Sequence, residues 1–366
     1  MKITYPYVGN SHIVIKNLLE RFGNEVVVPP KPSKRTLSYG TQFAPEFACV
    51  PFKILLGTYI EALEMGADTI VSTGGVGPCR AGLYTTLQEE ILKDLGYDFQ
   101  MITLEPPGHY LKDLIAQIKK LINRKMSIRE FWSIIRFVWE QLKLFDETEL
   151  MSFKIRPLEI KKGETTRVYR EMVDLIASAQ TVKELREIRH EVNKRFENIE
   201  IKENYDPIKV GIVGEVYVVL EPFANLEIEE TLGELGVYVE RSMFLTHYTI
   251  NNAVTDLFHI KGEKNVKKAA VPYFNEMCGG HGRESVGHTI LYAKKGFDGV
   301  IHLSPFTCIP EIVAKSILPA VSKDYNISVL SISLDEQTGK AGLRTRLEAF
   351  VDLLDKKRQK FKERMA

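Results

Sequence analysis

The sequence predicts an α/β fold in which two doubly wound domains are joined by a helical bridge. Three observations lead to this prediction. Both ends of the chain alternate short apolar runs with helical patterns of about 10–15 residues, which is typical of βαβ units and a parallel sheet. The middle of the chain lacks strand signals, and 366 residues suffice for two domains. The predicted boundaries are 1–110 for the first α/β domain, 111–205 for the bridge and 206–366 for the second α/β domain.

The first domain begins with a predicted strand over Lys2–Val8. A helix over Ser11–Phe22 follows, with Ser11 as its expected N-cap because serine favours that position. Apolar spacing predicts the next helix at Phe52–Met65. The remaining predicted elements are strands at Thr69–Ser72 and Phe99–Leu104 and a helix at Leu83–Leu95.

The bridge shows helical periodicity with charged outer faces, which is typical of amphipathic helices. Its predicted helices are Leu111–Ile122, Ile128–Phe145, Arg167–Ser178 and Val182–Ile199. The second domain opens with a strand at Lys209–Val213 and ends in a long helix from about Leu343. Between them we predict strands at Val237–Glu240, Gly299–Leu303 and Ser328–Ile332 and helices at Glu227–Leu235 and Glu284–Lys295.

Composition excludes several classes of protein. The 49 Lys and Arg residues nearly balance the 48 Asp and Glu residues, so the net charge is +1 and no basic surplus indicates nucleic-acid binding. The basic stretch Lys356–Arg364 is interpreted as the solvated end of the last helix. No run of about 18 apolar residues predicts a membrane span, and the first residues lack the pattern of a signal peptide. We therefore expect a cytoplasmic protein.

The four cysteines are too few for a disulfide framework, and none forms a Cys-x-x-Cys pair of the kind found in zinc ribbons or ferredoxins. Their spacing repeats, since Cys79 lies 30 positions after Cys49 and Cys308 lies 30 positions after Cys278. In each pair the first cysteine precedes a predicted helix and strand, and the second follows that strand. The repeat predicts two similar halves with cysteines at equivalent points.

These points lie where open parallel sheets bind ligands, beyond the carboxyl ends of strands and near helix N-termini. A proline two residues after Cys49 and Cys308 suits the first turn of a helix, whose unpaired N–H groups stabilise a thiolate or a cluster sulfur. Zinc sites usually draw ligands in close pairs, whereas a [4Fe–4S] cluster needs three or four thiolates and tolerates wide separation. Cys278 has no following proline and is the weakest candidate. The alternative is that the cysteines are small buried apolar residues.

Several motifs around the cysteines resemble those of one group of proteins, and the resemblance covers nearly the whole chain. The group is the acyl-CoA dehydratase activase-related proteins, distant relatives of the iron–sulfur component of 2-hydroxyacyl-CoA dehydratases, benzoyl-CoA reductases and double-cubane cluster proteins. The motifs that carry the resemblance are ACVPFK at 48–53, GGVGPCR at 74–80, GIVGE at 211–215, CGG at 278–280, SPFTCIPE at 304–311 and GKAGLRTRLEAF at 339–350.

The resemblance implies two Rossmann-like domains, an oxygen-sensitive iron–sulfur cluster, a dimer, and an ATP-hydrolysing activase that delivers a low-potential electron. In the dehydratases three cysteines hold each [4Fe–4S] cluster and one iron stays open, which maps onto Cys49, Cys79 and Cys308, with Cys278 as the candidate fourth ligand. A double-cubane cluster uses more cysteines than this chain has. The dimer implied is a homo-oligomer or a heterodimer with a related subunit. No acyl-CoA pocket is evident in a chain this small, so the dehydratase reaction itself is not carried over.

Glycines beside the cysteines are candidate cofactor-binding residues. Gly74, Gly75 and Gly77 resemble a phosphate-binding loop, but no Lys-Ser/Thr pair follows, so the Walker pattern is absent. We expect these glycines and Gly279 to let backbone N–H groups approach a cluster sulfur. The stretch Gly211–Gly214 has only part of a dinucleotide fingerprint, which leaves a nucleotide-binding regulatory protein as a further alternative.

Three side chains are candidates for catalysis. His281 is close in sequence to Cys278 and is suited to act as a ligand, proton donor or hydrogen-bond partner, although most histidines are ordinary surface or core residues. Glu311 is placed to relay protons or simply to favour a helix end. Arg80 beside Cys79 is placed to offset cluster charge or to bind an anion.

The leading hypothesis is an oxygen-sensitive [4Fe–4S] protein that accepts electrons from an ATP-dependent activase and acts in a reductase or dehydratase-like reaction. Three thiolates would leave an iron open for catalysis, whereas four would support electron transfer only. The sequence does not decide whether the protein is an enzyme. The alternative is a non-enzymatic metal- or ligand-binding module, or an assembly partner of an activase complex.

Overall fold

The computed structural model describes residues 1–74, 79–105, 107–249, 264–276 and 278–365. It confirms the α/β class, because the chain forms two four-stranded sheets, each entirely parallel and flanked by helices. None of the helices within these ranges combines the length and the apolar character needed to cross a membrane.

The described chain divides into two compact units. The first comprises Met1–Lys143, Ala179–Val182 and the described part of Leu245–Glu263. The second comprises Leu144–Ser178, Lys183–Phe244 and Lys264–Ala366, of which the last residue lies outside the described ranges. Each unit contains one sheet, and the chain first passes from one unit to the other within the helix Ile128–Ile155.

The first sheet has the order β2-β1-β3-β4. Its strands are β1 at Lys2–Thr4, β2 at Glu25–Val26, β3 at Thr69–Thr73 and β4 at Gln100–Leu104. Consecutive side chains of β3 point to opposite faces, so Ile70 packs into one apolar cluster with Phe52, Tyr59 and Leu92, and Val71 packs into another with β1 and three helices. Both faces of the sheet are therefore covered, as is usual for parallel sheets.

Six helices and a turn of 3₁₀ helix at Arg80–Leu83 follow the strands of the first unit. The helices are α1 at Ser11–Arg21, α2 at Lys34–Phe43, α3 at Val50–Glu64, α4 at Tyr84–Asp94, α5 at Pro107–Leu121 and α6 at Ile128–Ile155, whose last turns belong to the second unit.

Helices α2 and α3 approach each other closely through two glycines. A Cβ atom on Gly40 would lie 1.7 Å from the Lys53 carbonyl oxygen, and one on Gly57 would lie 1.8 Å from the Thr36 carbonyl oxygen. Only glycine permits backbones this close. This packing fixes α3, the helix that begins next to Cys49.

The second sheet has the order β6-β5-β7-β8, which repeats that of the first sheet. Its strands are β5 at Ile208–Gly214, β6 at Val237–Arg241, β7 at Gly299–Pro305 and β8 at Ser328–Leu334. Every residue of β7 is buried, as expected for a central strand with both faces covered.

The remaining described helices are mostly those of the second unit. They are α7 at Glu164–Ser178, α8 at Val182–Glu197, α9 at Val216–Leu220, α10 at Pro222–Asn225, α11 at Ile228–Glu234, α12 at Leu245–Thr249, α13 at Lys264–Ala270, α14 at Gly282–Lys294, α15 at Ile309–Asp324 and α16 at Lys340–Met365.

One predicted cap is wrong. Asn10, not Ser11, is the N-cap of α1, and Ser11 is the first residue of the helix. The Ser11 hydroxyl donates a hydrogen bond to the Val8 carbonyl oxygen at 2.6 Å, so it bonds back to the preceding loop instead of capping N–H groups ahead of it. The first strand is also shorter than predicted, because the chain leaves the sheet after Thr4.

The strand order places a topological switch point in each sheet. The chain moves from β1 to one neighbour, β2, and then returns to the other side to form β3. Ligands of open α/β sheets bind beyond the carboxyl ends of the two strands that flank such a point. The loops that matter are therefore those after β1 and β3 in the first unit and after β5 and β7 in the second.

Candidate functional site

Cys49 lies at the start of α3 in the first unit. It is the N-cap residue, with extended backbone angles (φ −71°, ψ 157°), and its side chain caps no backbone N–H. The N–H groups of Phe52 and Lys53 donate to the Cys49 carbonyl oxygen at 3.0 and 3.3 Å, and Pro51 has no N–H to offer. The thiol is 8% exposed at the positive end of a 15-residue helix, a position that favours a thiolate.

Cys79 lies after β3, beside the switch point of the same sheet. It is the N-cap of the 3₁₀ turn, and the Gly82 N–H donates to its carbonyl oxygen at 3.2 Å. Its side chain is partly exposed. Cys79 therefore follows a strand and begins a helix, as the sequence predicts.

Two side chains tie the Cys79 segment to the start of α3. Arg80 donates from Nη1 to the Phe47 carbonyl oxygen at 3.1 Å. The hydroxyl of Tyr84 makes a short hydrogen-bond contact with Cys49 Sγ, and its ring meets Phe52 edge-on with ring centroids 5.0 Å apart. These contacts place the two cysteine segments of the first unit side by side.

The glycine loop between β3 and Cys79 is described only at its first residue. The Gly74 N–H donates to the Leu104 carbonyl oxygen at 3.0 Å, and a Cβ atom there would lie 2.1 Å from a carboxylate oxygen of Glu105. A larger residue at this position would require the Glu105 side chain to move. Gly75 and Gly77, the other two predicted binding glycines of this loop, lie outside the described residues.

Cys308 follows β7 in the second unit, beside the switch point of that sheet. It is the N-cap of α15, has Pro310 in the first turn of that helix, and is 8% exposed. Thr307 turns the chain with a left-handed backbone (φ 68°), and the Cys308 N–H donates to the Pro305 carbonyl oxygen at 3.0 Å. Cys308 in the second sheet thus has the position that Cys79 has in the first.

Cys278 lies in the loop that leads to α14. Its thiol donates a weak hydrogen bond to the Gly279 carbonyl oxygen at 3.5 Å, and the side chain packs at the edge of an apolar cluster. Gly279 and Gly280 both have left-handed backbones (φ 73° and 52°), which favours glycine at these positions. Helix α14 begins at Gly282, where a Cβ atom would lie 2.2 Å from the Pro310 carbonyl oxygen, so the starts of α14 and α15 touch.

A buried imidazole–carboxylate pair joins the elements that carry Cys278 and Cys308. Nε2 of His302 on β7 lies 2.8 Å from Glu311 Oε2 on α15, and Ser285 on α14 donates to the same oxygen at 2.9 Å. Both members of the pair are fully buried. The second carboxylate oxygen of Glu311 has no hydrogen-bond partner in the described part of the chain. The predicted candidate Glu311 is therefore placed to hold these elements together and has no exposed surface.

Glu215 is a titratable residue at the second switch point that the sequence reasoning missed. It follows β5, and its carboxylate accepts a hydrogen bond from the Val218 N–H at 3.1 Å. Loss of water around the carboxylate raises its pKa, and the backbone N–H groups of Tyr217 and Val218 oppose this rise. The electrostatic interaction with His281 also lowers the pKa, whereas Glu311 raises it. The predicted candidate His281 is the N-cap of α14, near enough to Glu215 for this interaction.

His12 lies in the first turn of α1, the helix that follows β1 in the first unit, and it too was missed. Its Nδ1 atom donates to the Gly9 carbonyl oxygen at 2.6 Å, and its ring stacks on Tyr7 with centroids 4.2 Å apart. Nε2 makes no hydrogen bond within the described ranges. Burial lowers the pKa of His12, the hydrogen bond to Gly9 opposes this shift and Lys31 adds to it, so the net shift favours the neutral imidazole. A Gly-x-Ser-His stretch directly after an N-terminal strand was the available sequence signal.

The donor chemistry of the cysteines fits an iron–sulfur cluster. None of the four forms a disulfide within the described residues, two lie in each unit, and Cys49 and Cys308 begin helices of 15 and 16 residues whose N–H groups favour negatively charged sulfur. Neither unit, over its described residues, gathers three His, Cys, Asp or Glu side chains in a group that would hold a metal ion.

Comparison with known proteins agrees with the motifs. The family model described as 2-hydroxyglutaryl-CoA dehydratase, D-component, matches residues 15–354 and so includes all four cysteines. No curated protein matches the chain. Because the family model covers nearly the whole chain, the resemblance to the dehydratase component is confirmed, and the chain belongs to the 2-hydroxyglutaryl-CoA dehydratase D-component family.

Proposed function

We propose that this protein is an oxygen-sensitive [4Fe–4S] protein that accepts low-potential electrons from an ATP-hydrolysing activase and acts in a reductase or dehydratase-like reaction. The observation that carries the proposal is the placement of Cys49, Cys79 and Cys308, each as the N-cap of a helix, in a member of the dehydratase component family. These three residues are the proposed cluster ligands, with Cys278 as the fourth candidate.

If bound, such a cluster would supply an electron at low potential and, if one iron lacked a thiolate, an iron open to substrate. The chain's own part is to hold thiolates at helix N-termini and to keep them in place. Arg80 and Tyr84 fasten the Cys49 and Cys79 segments together, and Glu311 with His302 and Ser285 fastens the elements around Cys308.

The proposed partners are the activase and a second subunit, either another copy of this chain or a related one. The family description supports the activase, since a dehydratase component acts with one. The cytoplasm is the proposed location, because cysteines that form no disulfide within the described residues suit a reducing compartment.

The first experiment is the iron and sulfide content of anaerobically purified protein, with visible spectra before and after air is admitted. We expect a brown protein with about four irons per chain that bleaches in air. A colourless, folded, metal-free protein would refute the proposal. Zinc in place of iron would favour a metal-binding module without redox function.

Serine variants of the cysteines test the ligand set. Cys49→Ser, Cys79→Ser and Cys308→Ser should each lose most of the iron, because each removes a thiolate that the cluster needs. Iron retained in Cys278→Ser would indicate three thiolates and an open iron, and iron lost would indicate four thiolates and electron transfer only. Loss of iron on replacing Cys278 but not on replacing Cys49 would overturn the proposed set.

Electron acceptance is tested by mixing the brown protein with activase, MgATP and a titanium(III) reductant. The cluster signal in electron paramagnetic resonance should change only when ATP is hydrolysed. Reduction at the same rate without activase or without ATP would contradict the proposed route of the electron.

A further inference from the structure

We propose that Tyr84 is a positioning residue that donates its phenolic O–H to the sulfur of Cys49 and thereby sets the reduction potential of the cluster. The inference rests on the proposed function. It assigns a role to a residue that ligates no metal and lies in none of the cysteine motifs.

Tyr84 is held in place by contacts that do not involve sulfur. It is the first residue of α4, it ends the 3₁₀ turn that begins at Cys79, and its backbone N–H donates to the Ala81 carbonyl oxygen. Its ring lies edge-on to Phe52 at an interplanar angle of 81° and packs against the apolar cluster of the first unit. The hydroxyl is therefore directed by packing, and its contact with Cys49 Sγ follows from where the ring lies.

The helix itself leaves the Cys49 sulfur without a capping bond. An N-cap side chain normally accepts from N–H groups of the first turn. Here Pro51 has no N–H, and the N–H groups of Phe52 and Lys53 already donate to the Cys49 carbonyl oxygen, so the side chain caps no backbone N–H. The phenol at the start of α4 donates the hydrogen bond that the first turn of α3 does not.

The direction of the bond follows from the chemistry of the two groups. A sulfur that ligates iron carries no proton and can only accept, whereas a phenol O–H donates. A hydrogen bond to a ligating sulfur withdraws electron density and stabilises the reduced, more negative state of a cluster. Tyr84 therefore raises the reduction potential relative to a cluster without this bond.

The test compares Tyr84→Phe with wild type and with a matched control, Tyr59→Phe. The phenylalanine keeps the ring that packs on Phe52. Tyr59 lies on α3, is fully buried and donates to Ser72 Oγ at 2.9 Å, so its variant also loses one buried hydroxyl but no hydrogen bond to sulfur.

Redox titration followed by electron paramagnetic resonance should give a more negative potential for Tyr84→Phe only, with iron content unchanged in both variants. An unchanged potential in Tyr84→Phe would overturn the inference, as would loss of iron in that variant alone.

A second readout does not need the cluster. In the metal-free, reduced protein, Raman spectroscopy resolves S–H stretching bands, and the band that disappears in Cys49→Ser belongs to Cys49. We expect Tyr84→Phe to shift this band and Tyr59→Phe to leave it in place. A shifted band in a protein that never holds iron would refute the proposed function and leave the hydrogen bond standing. If Tyr84→Phe leaves the band unshifted and its cluster forms with an unchanged potential, the inference is refuted and the proposed function stands.

Discussion

At the scale of single residues, the pKa values of two titratable groups near the switch points are shifted toward the neutral form. His12 has one ring nitrogen fixed by the Gly9 carbonyl and the other free, and burial lowers its pKa. Glu215 directly follows β5, and loss of water raises its pKa. Both shifts favour the neutral form of the side chain. In this form the imidazole of His12 can accept a proton from a ligand, and the carboxyl group of Glu215 can donate one to it, at a small cost in free energy.

The shift of His12 predicts a dependence of stability on pH. Its ordinary pKa of 6.5 describes the unfolded chain, and the folded value is lower. As the pH falls through 6.5 the unfolded chain takes up a proton first, so the free energy of unfolding decreases until the folded pKa is passed. His12→Asn keeps a donor for the Gly9 carbonyl but does not ionise, and its free energy of unfolding should fall less between about pH 8 and pH 5.

Urea unfolding at several pH values measures this difference. The control is His190→Asn on α8, since His190 is exposed. Equal pH dependence in wild type and His12→Asn would contradict the predicted shift, and so would a midpoint for the His12 ring resonances at or above 6.5 in nuclear magnetic resonance.

At the scale of elements, the position of Cys49 depends on how closely α2 packs against α3. At Gly40 and Gly57 the two helices touch through backbone atoms, so no change of side-chain rotamer could relieve a clash there. The carbonyl oxygens of Lys53 and Thr36 occupy the space that a Cβ atom would need. The start of α3 is thus located by helix packing as well as by the contacts of its first turn.

Gly57→Ala should destabilise the protein by at least about 1–3 kcal/mol, because the added methyl group would force the two helices apart. Gly342→Ala on α16 is the matched control. Its Cβ atom would meet nothing within 4 Å, so it should change stability little or raise it, since alanine favours a helix more than glycine does. Thermal unfolding followed by circular dichroism checks both, and a Gly57→Ala protein as stable as wild type would disprove the close contact.

Much of the fold at this scale is predictable from apolar spacing, but the pairing of elements is not. The helix predicted at Phe52–Met65 is found at Val50–Glu64, and the strand predicted at Thr69–Ser72 at Thr69–Thr73. The helix α2 was missed, since its stretch carries few apolar residues at helical spacing. The equal spacing of the cysteines can be read directly from the sequence. The contact of Tyr84 with Cys49 cannot, because it joins residues 35 positions apart that meet only in the packed structure.

Contacts between buried polar side chains are not predictable from the sequence. Glu311 was expected at a helix end, which is where it lies, but nothing in the sequence shows that His302 from the middle of β7 meets it. A histidine inside an apolar strand has no periodic signature of its own, and its partner becomes visible only when α15 folds back over the sheet.

At the scale of the whole molecule, the two units share one strand order but carry different groups around their switch points. Cysteine follows the third strand of each sheet, whereas the loop after the first strand leads to histidine in one unit and to glutamate in the other. The repeated architecture thus supplies equivalent positions, and the side chains at those positions differ in charge and proton affinity.

A cluster bound by the native chain and not by the unfolded chain would stabilise the whole protein by mass action. The Tm of the anaerobic, iron-containing protein should therefore exceed that of the same sample after bleaching in air. Cys49→Ser should show one Tm under both conditions, because it has no cluster to lose. Coincident unfolding of the brown and bleached wild-type samples would argue against a cluster that is part of the folded structure.

The order of strands also has a consequence for synthesis on the ribosome. Ile3 on β1 pairs with Val26 on one side and with Thr69 on the other, so its first neighbour emerges early and its second some 66 residues after it. At about 5–20 residues per second, that edge of β1 waits for seconds before β3 is made. In the second sheet the wait is longer, since Val210 pairs with Val239 and later with Gly299. During translation the edges of β1 and β5 that later pair with β3 and β7 are therefore unpaired. A chaperone that shields the nascent chain would act at these edges.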